Sequence, residues 1–301
     1  MKSLTKLFIS LILFFASLKV SAAACCGGGF ATPALITGDD KAQLTTTYSN
    51  SRIDTDVYSN GIWQKRSGDD ISQVYKIEGA HIFKDLYQFG FSLPVQTRER
   101  SGNLGGTSTG LGDVALQAGY EFLPDWDYSA WRPKGVGFLT LTLPTGKSVY
   151  ESEDALGLDS RGRGFLALGI GSTFVKTFSK WDANSTLEIH RSFEKTVHNS
   201  QVDGKVKPGT GGSLAVGSGY SIKDLRLGAS VAWNYEDAIQ VENSSGSSAQ
   251  RFATGSLLAS YVFQDNWAGT FSYADQTLFG SPSNTTLSKT FSISVQKRWA
   301  R

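Results

Sequence analysis

The chain has 301 residues, of which 40% are hydrophobic and 19% charged, with 33 glycines, two cysteines and a single methionine. Its formal charge is +2, but Lys2, Lys6 and Lys19 lie in the first 24 positions, and without them 26 of the 29 basic residues face 27 acidic ones. A balance that near to neutral gives no footing for a nucleic acid or other polyanion, and adjacent cysteines cannot staple distant parts of a fold.

Residues 1–24 read as a signal peptide. Lys2 and Lys6 supply a positive start, Leu7 to Leu18 an apolar run, and Ala22-Ala23-Ala24 a small-residue cleavage site. The apolar run is about twelve residues long, short of the roughly twenty that a membrane-spanning helix needs. Cys25 would then head the exported chain, which leaves it open to lipidation at a degenerate lipobox or, together with Cys26, to a vicinal or intermolecular disulfide; the second reading is preferred because Ala22 replaces the usual leucine. Residues 25–41 form a short Gly-rich lead-in, placed either in a barrel lumen or in the periplasm. Residues 42–301 read as one transmembrane β-barrel domain.

Period-two alternation, which sends successive side chains to opposite faces of a strand, dominates that domain. It predicts strands at 42–57, 71–83, 86–97, 112–122, 135–144, 163–178, 183–195, 211–222, 225–236, 251–263, 267–279 and 287–299. In the last of these Leu287, Phe291, Ile293, Val295 and Trp299 share one face, and Ser288, Thr290, Ser292, Ser294 and Gln296 the other. The fold class expected is therefore all-β, an antiparallel up-and-down barrel of about twelve strands, or ten or fourteen if one segment is merged or split.

The links between these strands alternate in length. Lys84-Asp85, Ser179 to Asp182, Lys223-Asp224 and Gln264 to Asn266 are tight, whereas Ser101 to Gly110 and Asn243 to Ser248 are long and polar. Outer-membrane barrels have short periplasmic turns and long external loops, which puts both termini in the periplasm. Aromatic residues bracket the short turns, at Phe83 and Tyr87, Phe178 and Trp181, and Phe263 and Trp267, with Trp126, Tyr128, Trp131 and Trp299 at the same level. Tyr58, Trp63, Phe193, Trp233 and Tyr235 mark a second girdle. A soluble barrel would alternate too, with the apolar face turned inward, and alternation alone does not say which face is which.

Gly110-Leu111-Gly112-Asp113-Val114, leading into a strand that ends Tyr120-Glu121-Phe122, resembles the outer-membrane family described as meta-pathway phenol-degradation proteins. The strand Leu139 to Leu143, closed by Pro144-Thr145-Gly146-Lys147, resembles it too, so that the likeness covers about 110–175. The resemblance implies a channel-like barrel with a loosely assigned transport role. The alternating C-terminal strand looks like the signal read by the outer-membrane barrel assembly machinery, although Ala300 and Arg301 follow the aromatic Trp299.

Catalytic patterns are weak. Gly106 to Gly110 matches G-x-S-x-G, but a loop precedes it and a strand follows, the reverse of a nucleophile elbow. His190 and Ser192 share a strand face, but no residues resembling the remaining motif of the twelve-stranded outer-membrane phospholipases accompany them. No catalytic, cofactor-binding or metal-binding residues are assigned, and no cofactor is expected. Asp39, Asp40, Asp154 and Asp159 read as solvated loop charge in preference to calcium ligands, and Gly162 to Gly171 lacks dinucleotide-binding spacing. With the apolar face toward lipid, the lumen-lining candidates are Lys76, Glu78, Asp113, Glu121, Glu188, His190, Arg226 and Glu236. The expectation is a channel for passive or gated diffusion of a small-molecule solute, set among outer-membrane lipid and lipopolysaccharide. A non-conducting surface-interaction barrel is the alternative, and an outer-membrane hydrolase the weaker third.

Overall fold

A computed structural model describes residues 34–301 except 103–104, 126–128, 130, 155 and 200–201. The signal peptide, Cys25, Cys26, Trp126 and Tyr128 lie outside the described residues. The wall of the barrel begins with β1 (Asp40–Val57), β2 (Trp63–Phe83) and β3 (Tyr87–Arg100). A broken strand follows, β4 (Gly106–Leu111) and β5 (Val114–Leu123), both paired to β3. Next come β6 (Lys134–Leu143), β7 (Ala167–Phe178) and β8 (Trp181–Ser192). Two short strands, β9 (Lys195–His198) and β10 (Asp203–Lys207), then leave the wall, which resumes with β11 (Thr210–Ile222) and β12 (Leu225–Glu236). After β13 (Ile239–Val241) and β14 (Ser244–Ser247), the wall ends with β15 (Gln250–Gln264), β16 (Trp267–Asp275) and β17 (Thr285–Ala300). Counting β4 and β5 as one, twelve antiparallel strands form it, and β1 pairs with β17 along its length, Tyr48 opposite Ile293, so no edge is left open.

The strands reverse tightly at one rim. Lys84 and Asp85 both have positive φ (50° and 57°), the conformation of a two-residue hairpin turn whose twist matches its strands. Ser179 and Lys223, each with φ of 54°, begin the equivalent turns. Asp40 faces Ala300 at this rim, which therefore carries both ends of the barrel and is called the terminal rim. The opposite, loop rim holds the long connections.

The apolar face points outward. Ile170, Leu257, Phe89 and Ile293 are 58–64% exposed, while the inward Gln88 and Glu121 are almost fully buried. That is the reverse of a soluble barrel, in which the alternate faces would be exchanged. Rings pair along the terminal rim, Tyr87 with Tyr120 and Trp181 with Tyr220, and the Lys297 ammonium sits 4.9 Å over the Trp267 ring, an arrangement suited to a headgroup layer. Leu287, expected on the same face as Phe291 and Ile293, is instead fully buried, with Thr285, Thr286 and Ser288 buried around it.

Several elements differ from the sequence-based expectation. β2 starts at Trp63, eight residues earlier than its alternation suggested, because Thr55 to Val57 of β1 continue to pair with Trp63 to Lys65 beyond an irregularity. Gly106–Leu111 is a strand of the wall instead of loop, and β7 starts only at Ala167. The links 193–209 and 237–249 are also structured: β14, β13, β10 and β9 pair in that order as a separate four-stranded sheet on the loop rim. Its Val197, Val206 and Val241 pack with Tyr150 and Phe165 of the β6–β7 link into a small apolar core. These strands are three to five residues long, too short for alternation to register.

Leu257 lies midway along β15 on the outward face. Leu257→Arg should destabilise the folded barrel by about 2–4 kcal/mol in lipid, the depth-dependent cost of a lipid-facing cation, as measured by denaturant titration in vesicles.

Candidate functional site

The inner wall is lined with charge, and nearly every charge is matched. Lys76 and Glu78 lie 3.0 Å apart on β2. Glu121 is fully buried between Lys134 (3.2 Å) and Arg301 (3.3 Å) at the terminal rim. Arg226 donates two hydrogen bonds to Asp182, of 2.6 and 2.5 Å. Near the loop rim Glu236 meets Arg163 and lies 3.1 Å from His190 Nε2, and Arg163 donates to that nitrogen at 2.7 Å. Glu188, half-buried beside this group, projects over Gly169. Ion pairing of this kind offsets the cost of removing charge from water.

Glycines beneath the charges let them lie flat. A Cβ at Gly219 would meet the Arg226 guanidinium at 2.5 Å, and one at Gly211 would meet the Glu236 carboxylate at 2.3 Å. Both glycines are on β11, between β8 and β12, so each charged group crosses a strand without a side chain to reach its partner on the next.

The terminal rim is closed by the chain's own lead-in. Residues 34–38 enter the lumen, where Ile36 is fully buried against Ala80 and Ile82, and Leu35 packs on Val136 and Phe138. The Gln88 side chain holds Ile36 at both backbone groups: Ile36 N–H donates to Oε1 at 2.9 Å and Nε2 donates to the Ile36 carbonyl at 2.9 Å. This side chain mimics a neighbouring strand and satisfies a buried peptide unit. The close approach requires Gly90, where a Cβ would lie 2.2 Å from the Ala34 carbonyl oxygen. Nζ of Lys134 donates to the Gly38 carbonyl at 3.0 Å and Gln43 Nε2 to that of Leu35 at 3.2 Å. The described part of the lead-in, from residue 34, thus takes the luminal of the two placements left open by the sequence. Gln88 was visible there only as one of several polar residues on β3.

The loop rim is closed by the link 144–166. Asp113, at the break between β4 and β5, accepts N–H groups of Gly146 (3.0 Å), Arg163 (2.6 Å) and Gly164 (3.1 Å). Thr145 Oγ1 donates to the Gly112 carbonyl at 2.6 Å and accepts from Val114 N–H at 3.0 Å. The two short sequence signatures, Gly110 to Val114 and Pro144 to Lys147, therefore meet in space and form one joint. From it the link runs across the lumen. Arg98 Nη1 of β3 donates to the Gly157 carbonyl at 3.1 Å, Arg161 Nη1 donates to Ser108 Oγ of β4 at 2.8 Å, and Arg163 reaches Glu236 of β12. Arg98, Arg161 and Arg163 escaped the sequence reading because their partners are far apart in the chain.

Above this strap sits the four-stranded cap. Glu151 joins them, accepting from Lys195 Nζ at 2.5 Å and from Ser148 Oγ at 2.9 Å. Burial pushes the Tyr150 phenol up to about 12. A cavity of about 120 Å³ lies between cap and wall, lined by Tyr150, Phe165, Pro208, Gly209, Glu236 and Phe252 among others.

The residues weighed for other chemistry are engaged elsewhere. His190 faces Arg163 and Glu236, and Ser192 is buried, its N–H donating to the Gly209 carbonyl at 3.3 Å. Ser108 serves Arg161. Asp154 accepts N–H groups of its own turn, from Leu156 and Leu158, and Asp159 accepts the Ser152 hydroxyl and the Glu153 N–H. Asp40 lies 3.9 Å from Arg298.

No known family profile matches the chain, and no curated protein matches it in sequence. Solved structures do. An outer membrane channel from Pseudomonas putida F1 superposes with a TM-score of 0.71 at 16% identity, over 91% of this chain and 100% of the other. The fold is that of an outer-membrane barrel. Less similar are the NanC porin, with a TM-score of 0.45 at 7% identity over 85% of this chain and 98% of its own, and a TodX mutant monoaromatic hydrocarbon channel, at 0.46 and 10% over 93% and 96%.

Burial disfavours the ionised forms of Glu151 and Asp159, but Lys195 and the Ser148 donors outweigh it for Glu151, as Ser152, the Glu153 N–H and Lys147 do for Asp159, and both carboxyls are held below their usual range. A group whose pKa is lowered on folding contributes stability above its unfolded value and loses it as the pH falls through the folded one. The cap and strap should accordingly loosen below about pH 4, the ordinary carboxylate range. Amide NMR signals of Lys195–His198 and Val149–Glu151, followed from pH 7 downward, should broaden or shift together, and earlier in Glu151→Gln.

Proposed function

We propose that the chain is a channel of the bacterial outer membrane, admitting a small solute through a polar lumen that is shut at both rims in the state described. The termini and short turns lie in the periplasm on this reading, and the strap and cap face outward, in keeping with the rule that outer-membrane barrels keep their long loops outside. Residues 1–24 direct export, and the C-terminal strand hands the chain to the barrel assembly machinery. The outward apolar belt faces lipid, with lipopolysaccharide around the loop rim.

One observation carries the channel reading. The lumen is lined by matched charges and polar groups, and what fills it at the two rims is chain held by hydrogen bonds and a few apolar contacts, at Gln88 on one side and Asp113 on the other. Twelve strands enclose more space than side chains alone fill in an eight-stranded barrel, and here backbone segments occupy part of it. Likeness to the Pseudomonas channel supports the same conclusion at the level of fold. The cap gives a second reading some support, since a folded sheet on the outer surface suits contact with a partner, but such a role does not call for a charge-lined interior.

Conductance of the refolded mature protein in a planar bilayer tests the proposal. Small, gated steps are expected, and Gln88→Ala, which removes both hydrogen bonds to Ile36, should increase the open fraction several-fold; each lost bond releases on the order of 1 kcal/mol of closure. Asp113→Ala should likewise produce longer or larger openings. A barrel that folds, judged by its heat-modifiable mobility, yet gives no steps as wild type or in either variant would refute the channel.

A further inference from the structure

The lead-in lies against one side of the lumen. Residues 34–38 contact β1, β2, β3, β5 and β6, through Gln43, Ala80, Ile82, Gln88, Gly119 and Val136 among others. On the far side, the inward positions of β11 are Gly211, Ser213, Ala215, Gly217 and Gly219, a floor of small residues about 27 Å long at some 3.4 Å per residue. β8 and β12 flank it with taller polar side chains. Asp182, Asn184 and Glu188 stand on one, and Arg226, Ser230 and Asn234 on the other. Such a floor alone would be mere packing space, but two charged groups lie across it, Arg226 reaching Asp182 over Gly219 and Glu236, paired with Arg163, over Gly211. Between the bridges the Asn234 amide nitrogen is buried with no hydrogen-bond partner. At its outer end the floor runs directly into Gly209 and Pro208, which line the cavity beneath the cap.

We infer that this face of β11 is the hydrated path through the barrel, that the two bridges are the rungs that set its width, and that it suits small, neutral, hydroxyl-bearing solutes. The inference rests on the channel reading and deepens it. A solute with several hydroxyls replaces water at Asn184, Ser213 and Ser230 as it moves, and offers a partner to the Asn234 amide nitrogen, which has none in the closed arrangement. A fixed charge would meet a group of its own sign at each rung, and a hydrocarbon would leave those polar groups unpaired, which is costly. Gly219 and Gly211 determine the bore, because any side chain there lifts Arg226 or Glu236 off the wall and into the path.

The test joins two readouts in a Cys25→Ser/Cys26→Ser background. In the first, vesicles containing the refolded protein are swollen with arabitol. Gly219→Ala and Gly211→Ala should each slow swelling roughly threefold or more, and Arg226→Ala should speed it, as expected when a pore constriction is narrowed or widened. In the second, a cysteine at Ser213 should react rapidly with a charged, water-soluble thiosulfonate, while one at Ala80, beneath the lead-in, stays protected. Swelling unchanged in both glycine variants, or protection of Ser213→Cys equal to that of Ala80→Cys, would overturn the path while leaving a channel in place. Protein-dependent swelling that is faster with a charged solute of similar size, such as lysine or gluconate, than with arabitol would overturn the solute class. If neither wild type nor Arg226→Ala admits any probe, the channel reading itself fails, and thiol reactivity still decides whether β11 is hydrated.

Discussion

Everything in this barrel depends on satisfying backbone hydrogen bonds where water cannot do so. Inside a hydrocarbon layer each unpaired N–H or C=O group costs several kcal/mol, and a sheet escapes that cost only by pairing its last strand with its first. The β1–β17 register provides that closure, from Asp40 opposite Ala300 to Val57 opposite Thr285. Once the sheet is closed, pleating assigns every second side chain to the outside and the remainder to the interior, and the chemistry of the two faces follows from their solvents. The same demand recurs within the lumen. The peptide unit of Ile36, removed from water against the wall, is satisfied by the Gln88 amide, and the backbone of the strap is held by the Asp113 carboxylate.

The wall was legible in the sequence because it obeys a local rule. Alternation over ten or more residues, tight turns at Lys84-Asp85 and Lys223-Asp224, and the even count each derive from neighbours in the chain, and the strands lie close to where the pattern placed them. Which face is apolar was not legible, since alternation has no sign; the exposure of Leu257 and Ile170 against the burial of Glu121 supplies it. The cap was missed for a related reason. Strands such as Ile239–Val241 are too short to show a period, and they form because loops far apart in sequence are brought together on one rim.

The interior was legible in part. Glu188, Arg226 and Glu236 could be placed on one face by parity, but parity says nothing of partners. Asp182 pairs with Arg226 across 44 residues, and Arg163 belongs to a link with no periodicity at all. The resemblance segments carried more than their length suggested. Gly112-Asp113 and Thr145-Gly146 are common turn residues taken singly, yet they form the joint from which the strap crosses the lumen, and Gly162 beside them leaves room for the Asp113 carboxylate, which a Cβ there would meet at 2.5 Å.

Glycine is the residue through which wall and interior are coupled. A barrel of fixed strand number has a fixed circumference, so the space inside is controlled by what stands on the inner face. Where glycine faces inward, a neighbour's side chain or a length of backbone can lie against the wall: the lead-in over Gly90, Glu236 over Gly211 and Arg226 over Gly219. Each placement removes a long polar side chain or a peptide segment from the centre without unpairing it. The lumen is thus arranged as a layer of groups pressed flat on a bare sheet, obstructed where backbone enters and more open along β11, where only side chains do. Opening such a barrel calls for no change in its strands. On the channel reading proposed above, it needs only that a segment held by a few hydrogen bonds leave the wall it lies against.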